Sequence, residues 1–158
     1  MPRHIRVSIS RQTLELFEDG ALLRAYPVST SRFGAGERAG SFKTPRGRHR
    51  IRAMIGAGQP AGTVFVGRRP TGEQYAEQLA CADPQRDWIL TRILWLSGTE
   101  IGRNRLGEVD SMRRYIYIHG TPAKLGRPAS IGCIRMSNED VIEIFDLVSP
   151  GTVVEIEE

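Results

Sequence analysis

RYIYIHGTPAKLGRPASIGCIRMSNEDVIEIFDLV, residues 114–148, changes its periodicity partway along and so decides the fold class. The first six residues alternate, which predicts a strand carrying Tyr115, Tyr117 and His119 on one face and Ile116 and Ile118 on the other. From Ser137 the apolar residues recur instead at Val141, Ile144, Phe145 and Val148, a helical stripe, and Ser137 with Asp140 makes an S-x-x-D cap at its start. Pro150 and Gly151 end that helix, and TVVEI at 152–156 reads as a last strand.

Upstream of this stretch, strands predominate. Ile5, Val7 and Ile9 share a face, Leu14 and Leu16 follow, and an EDG turn at 18–20 leads into residues 22–28, a strand followed by a hairpin. Residues 50–55 and 63–66 are short strands separated by the GAGQP cluster at 56–60. DWILTRILWL, 87–96, predicts a buried strand, in which Arg92 is expected to reach a carboxylate or water rather than substrate. EQYAEQLACA, before Pro84, predicts a short helix with Cys81 partly buried. No βαβ alternation asks for a parallel sheet.

A chain of 158 residues fits one domain, here 1–158, and its 40% hydrophobic and 25% charged content describes a globular protein. Lys plus Arg number 22 against 18 Asp plus Glu. That basic excess is mild and scattered, and no zinc-finger spacing, basic heptad or aromatic RNA-binding signature accompanies it, so nucleic acid is not an expected partner. No segment approaches the ~20 apolar residues of a membrane span. The two cysteines, Cys81 and Cys133, are too few for a disulfide scaffold and read as free thiols.

Metal and cofactor motifs are equally absent. C-x-x-C and H-E-x-x-H spacings do not occur, so no metal site is expected. The G-x-G at 34 and 36 fails as a dinucleotide fingerprint because Ala39 occupies the third glycine position, and no Gly-Lys-Ser/Thr follows. No cofactor is implied, and the glycine- and arginine-rich segment around it reads as a mobile or substrate-contacting loop.

What remains is a histidine and a cysteine. By type and spacing alone, His119 and Cys133 favour a structural reading. A thiol near its ordinary pKa of ~8.5 is only a few per cent ionised at neutral pH, so complete ionisation by an imidazole would contribute roughly thirtyfold, about 2 kcal/mol. Acyl transfer also needs donors aimed at the developing oxyanion, each worth about 10²- to 10³-fold. Gly132 lets the backbone turn so that the amides of Gly132 and Cys133 converge on one oxygen, and Gly120 lets a carbonyl orient the imidazole. Asn138 and Asp140 are better explained as helix-start residues. Arg135 lies on the same side of an extended segment as Cys133, where it either clamps a substrate carboxylate or holds a structural one.

HGT at 119–121, LGRPAS at 125–130 and GCIRMSNEDV at 132–141 resemble the signature of the bacterial L,D-transpeptidase catalytic domain, the YkuD type. The resemblance extends to the T-P-x-G element in KTPRGRHRI, 43–51, and to the N-terminal hairpin with its V-S-T end. It implies a mostly β, β-sandwich-like fold of largely antiparallel strands with one or two short flanking helices. It also implies a cysteine nucleophile acting on peptidoglycan stem peptides. The nucleophile attacks the carbonyl of the third residue, releases the terminal D-alanine, and the acyl group passes to an amine. On this resemblance Cys133 is the nucleophile, His119 the base and then the acid, and the amides around Gly132 and Cys133 the oxyanion hole. Ser130, Arg135, Thr121 and Gly120 fall on supporting, substrate-binding positions.

Two features depart from the family. Many members carry S-H-G-C, whereas Ile131 stands here in the histidine's place. Family enzymes act in the periplasm or cell envelope, yet the opening MPRHIRVSISRQTLELFEDG has no apolar run of signal-peptide length, which leaves the cytoplasm open as a compartment. The alternatives to transfer are an L,D-carboxypeptidase, in which water replaces the amine, a wall-peptide binding module without turnover, and an acyltransferase acting on an unrelated amide.

Overall fold

The computed structural model describes residues 2–158. Its strands are β1 (Arg3–Ser8), β2 (Thr13–Glu18), β3 (Ala21–Pro27), β4 (Gly47–Ile55), β5 (Thr63–Val66), β6 (Arg69–Gln74), β7 (Ile89–Gly98), β8 (Tyr117–Gly120), β9 (Ile134–Met136) and β10 (Val153–Glu157). Two helices, α1 (Glu77–Ala82) and α2 (Asn138–Leu147), flank them. The fold is mostly β, as the periodicity predicts.

All ten strands belong to one hydrogen-bonded sheet, which runs β3-β2-β1-β10-β4-β7-β5-β6 and branches at β7 to take on β8 and then β9. Most pairs are antiparallel. Two are parallel, β1 with β10 and β8 with β9, where no parallel pairing was expected. Neither uses a βαβ unit: almost the whole chain separates the first pair, and an irregular loop separates the second.

The core follows from the alternation. Ile5, Val7, Leu14, Leu16, Leu94, Leu96, Ile118, Ile134 and Met136 are buried on one side of the sheet, against Val141 and Ile144 of α2. Ser137 caps that helix by accepting the Asp140 N–H at 3.0 Å, which fixes where the chain turns from β9 into α2. Because Ile118 and Ile134 face this core, His119, Cys133 and Arg135 are turned to the opposite side.

Four local expectations are corrected. The strand predicted from Asp87 begins at Ile89, and a bulge between Leu90 and Ile93 breaks it. There Thr91 has a φ of 77°, rare for a β-branched residue; its hydroxyl donates to Asn138 Oδ1 at 2.6 Å and accepts the Gly62 N–H at 3.0 Å, tertiary bonds that hold the distortion. Buried Arg92 reaches main-chain carbonyls in place of a carboxylate: Nη1 donates to those of Gln59 (2.8 Å) and Thr91 (2.7 Å), and the guanidinium lies 5.3 Å from the Phe145 ring centroid.

The strand predicted to start at Arg114 starts at Tyr117 instead. Tyr115 has a φ of 55° in a turn closed by Ile116 N–H to the Ser111 carbonyl, so it does not share a face with His119. Cys81 is exposed, because α1 buries none of its residues fully.

Candidate active site

The parallel pairing of β8 and β9 sets Ile118 opposite Ile134, His119 opposite Arg135 and Gly120 opposite Met136. His119 and Arg135 thereby share the face away from the core, and Cys133 precedes β9 on that same face. Its sulfur accepts the Tyr117 N–H at 3.4 Å and donates to the Tyr115 carbonyl at 3.4 Å. Phe65, Ile93 and Tyr117 pack around it. Burial pushes the thiol up to about 12, so the resting form is the protonated one.

His119 is fully buried, and burial holds its imidazole below the ordinary histidine range. Nδ1 lies 2.7 Å from the Gly120 carbonyl. A carbonyl only accepts, so Nδ1 carries the proton in the neutral ring and Nε2 keeps its lone pair. Nε2 has no hydrogen-bond partner among the described residues. A buried, unpartnered lone pair with a fixed tautomer is the arrangement a general base requires.

Gly120 is glycine for a steric reason. A Cβ there would sit 2.5 Å from Asn138 Oδ1 and 2.7 Å from the Leu90 carbonyl. Gly120→Ala is therefore expected to cost about 1–3 kcal/mol of stability through overpacking. It should also loosen the carbonyl that orients His119. Denaturant midpoints and the acylation rate measured on one preparation would check both effects, and a variant matching the parent in each would refute the reading.

The turn before the cysteine is tightly built. Gly132 has a φ of 130°, a conformation side chains rarely adopt. Ser130 is buried, its hydroxyl donating to the Cys133 carbonyl at 2.6 Å and accepting the Gly132 N–H at 3.2 Å. The Ser130 hydroxyl thus closes the turn, and the Gly132 amide is engaged inside it. Thr44, from the T-P-x-G element, supports the same turn by donating to the Gly132 carbonyl at 2.9 Å while accepting the Ser31 N–H at 3.0 Å. The sequence quotes Thr44 as part of a motif, and nothing in it reveals this job.

Ile131, 38% exposed, stands between two cavities and lines both. One, of about 220 Å³, holds Cys133 with Phe42, Arg113 and Arg114. The other, of about 380 Å³, holds Arg32, Arg86, Asp87, Thr121 and Arg135. Arg135 is paired there with Asp87 at 3.0 Å. Asp87, which the sequence offers only as the start of a strand, brings a carboxylate to the site from the segment before β7. Thr121 is buried and accepts the Ala123 N–H at 3.2 Å. Among the described residues, no group of three His, Cys, Asp or Glu side chains is placed to hold a metal ion, and no helix is long and apolar enough to cross a membrane.

Solved structures with this fold include an L,D-transpeptidase from Mycobacterium smegmatis, matched at a TM-score of 0.59 and 21% identity over 99% of this chain and 58% of that one. L,D-transpeptidase 3 from Mycobacterium tuberculosis, solved with a faropenem-derived adduct, matches at a TM-score of 0.60 and 18% identity over 99% and 60%. In sequence, proteins provisionally named as the L,D-transpeptidase YkuD in Bacillus licheniformis and Bacillus subtilis are 28% and 29% identical. Each alignment covers 99% of this chain and 66% of the relative, so the chain spans just under two thirds of their length. The model of the L,D-transpeptidase catalytic domain, YkuD, matches residues 2–156, and the chain belongs to that family.

Proposed function

We propose that the protein is a cysteine-dependent L,D-transpeptidase of peptidoglycan stem peptides. The observation that carries this is the His119 tautomer, with Nδ1–H fixed on the Gly120 carbonyl and Nε2 left as a base on the face that Cys133 shares. In the reaction, Nε2 takes the Sγ proton as sulfur attacks the carbonyl carbon of the third stem residue. The tetrahedral intermediate collapses, the C–N bond breaks, and the imidazolium returns the proton to the departing D-alanine amine. A thioester remains on Cys133. An acceptor amine then attacks it, gives a proton to His119, and the thiol is regenerated as the new amide leaves. Such substrates place the work in the cell envelope, which fractionation of the native protein would check.

The test is incubation with a disaccharide tetrapeptide, read by mass spectrometry. Loss of D-alanine, an acyl adduct on Cys133 and a cross-linked dimer support the reading, and a faropenem adduct on the same residue is a second probe. Free tripeptide without dimer would reassign the enzyme as an L,D-carboxypeptidase. Peptide binding without turnover, unchanged in Cys133→Ala, would make it a binding module.

A further inference from the structure

Among the described residues, no carboxylate is in contact with the Arg114 guanidinium, which lines the cavity of the Cys133 sulfur. The half-buried guanidinium is held entirely by main-chain carbonyls: Nη1 donates to Gly36 (3.3 Å) and Glu37 (3.2 Å), and Nη2 to Lys43 (2.6 Å). The Glu37 carboxylate is committed to Arg46, at 2.9 Å. Carbonyls orient a guanidinium without cancelling its unit charge. That charge lines the same cavity as the Cys133 sulfur.

The other charged and titratable groups around the sulfur are arranged differently. Asp87, from the segment before β7, and Arg135, from β9, are bound to each other, so their opposite charges largely offset at Cys133. On β8, His119 is neutral, and the Tyr117 hydroxyl accepts from Arg68 of the β5–β6 hairpin at 3.1 Å. Arg113 shares the cavity but is exposed to solvent, which screens it. Arg68 has no carboxylate partner either, but it does not line the cavity that holds the sulfur; of that cavity's two arginines, Arg114 is the one held in place and partly desolvated.

Resting on the function proposed above, we infer that Arg114 is a positioning residue of the acyl-transfer site, whose fixed positive charge favours departure of the Cys133 proton and draws anionic reactants to the sulfur. Burial by itself pushes the thiol toward its neutral form, and the Arg114 charge opposes that push. In the reaction the proton moves from Sγ to His119 Nε2, leaving one negative charge on sulfur beside the guanidinium. The three carbonyl contacts hold the charge in register with the cavity wall, which segment 36–43 supplies through Phe42.

The experiment is alkylation of Cys133, which requires no transpeptidase substrate, so its failure is separate from a failure of the proposed function. The intact protein is treated in parallel with neutral iodoacetamide and anionic iodoacetate, and modification is followed by peptide mass spectrometry. Exposed Cys81 in the same molecule serves as the internal reference. Arg114→Gln is expected to slow iodoacetamide at Cys133 by about fivefold and to lower the iodoacetate-to-iodoacetamide ratio severalfold. Arg114→Lys, which keeps the charge and loses the fork, should retain the ratio. If the residue were only a loop clamp, Arg114→Gln would open the cavity, and alkylation would rise with the ratio unchanged, overturning the inference. Should Arg114→Gln not fold, the ratio in Arg114→Lys decides: retained, it supports the charge, and lost, it overturns it.

Discussion

His119→Ala is expected to slow acylation of Cys133 by about 10²- to 10⁴-fold, the span typical of a positioned general base. With the thiol pushed up to about 12 by burial, only about one molecule in 10⁴ to 10⁵ holds a thiolate at neutral pH, so unaided ionisation cannot sustain the reaction. The base must take the proton as the bond to carbon forms. Since burial holds His119 below the ordinary histidine range, its ring stays neutral to lower pH than an ordinary imidazole, and activity should persist correspondingly further into acid. It should fall only as pH drops through the lowered value and Nε2 becomes protonated. Adduct formation with faropenem, timed by mass spectrometry across pH, measures both effects. A variant within about threefold of the parent would remove His119 from the mechanism.

Acid should destabilise the protein through a second histidine, outside the proposed active site. His49 is fully buried, with Nδ1 3.1 Å from the Gly47 carbonyl and Nε2 2.8 Å from Ser111 Oγ. The neutral ring satisfies both contacts, donating to the carbonyl and accepting from the hydroxyl. Burial lowers its pKa from an ordinary 6.5 to about 4. The unfolded chain therefore takes up this proton first, so the stabilisation is whole above pH 6.5 and is lost as pH falls toward 4. The total comes to about 3 kcal/mol. His119 contributes in the same sense, while Glu37, Glu100 and Asp110, all held below the carboxylate range, lose theirs only at lower pH. Urea midpoints at pH 7.5 and 5 should thus draw apart in the parent and much less in His49→Gln. Equal pH slopes in the two proteins would sink the assignment.

The parts of this molecule that sequence makes legible are those with local causes. The hairpin at the N-terminus, the Ser137 cap and the stripe of α2 each depend on residues a few positions apart. His119, Gly120, Gly132 and Cys133 are legible because they fall on a family motif written in short runs of consecutive residues, whereas the types and spacing of the histidine and cysteine alone favour a structural reading. Asp87, Thr91 and Arg114 are not, because each takes its role from a partner distant in the chain. Thr91 holds its bulge through Asn138 and Gly62, Asp87 meets Arg135, and Arg114 is shaped by the carbonyls at 36, 37 and 43. No periodicity encodes such meetings. The same limit explains Tyr115, whose alternation with Tyr117 reads as strand although the turn at 111–116 removes it from the sheet.

The parallel pairing of β1 with β10 has a kinetic consequence. His4 lies beside Val153, and the β1–β10 seam sits in the interior of the sheet, with the β2–β3 hairpin on one side and β4 on the other. The hairpin can form as soon as it is synthesised, but the seam waits for β10. Until then β1 and β4 present open edges, and closing so long a loop is entropically slow. Until β10 is made the middle of the sheet stays unzipped, and that interval, more than the folded state, is when these strands are most vulnerable to aggregation.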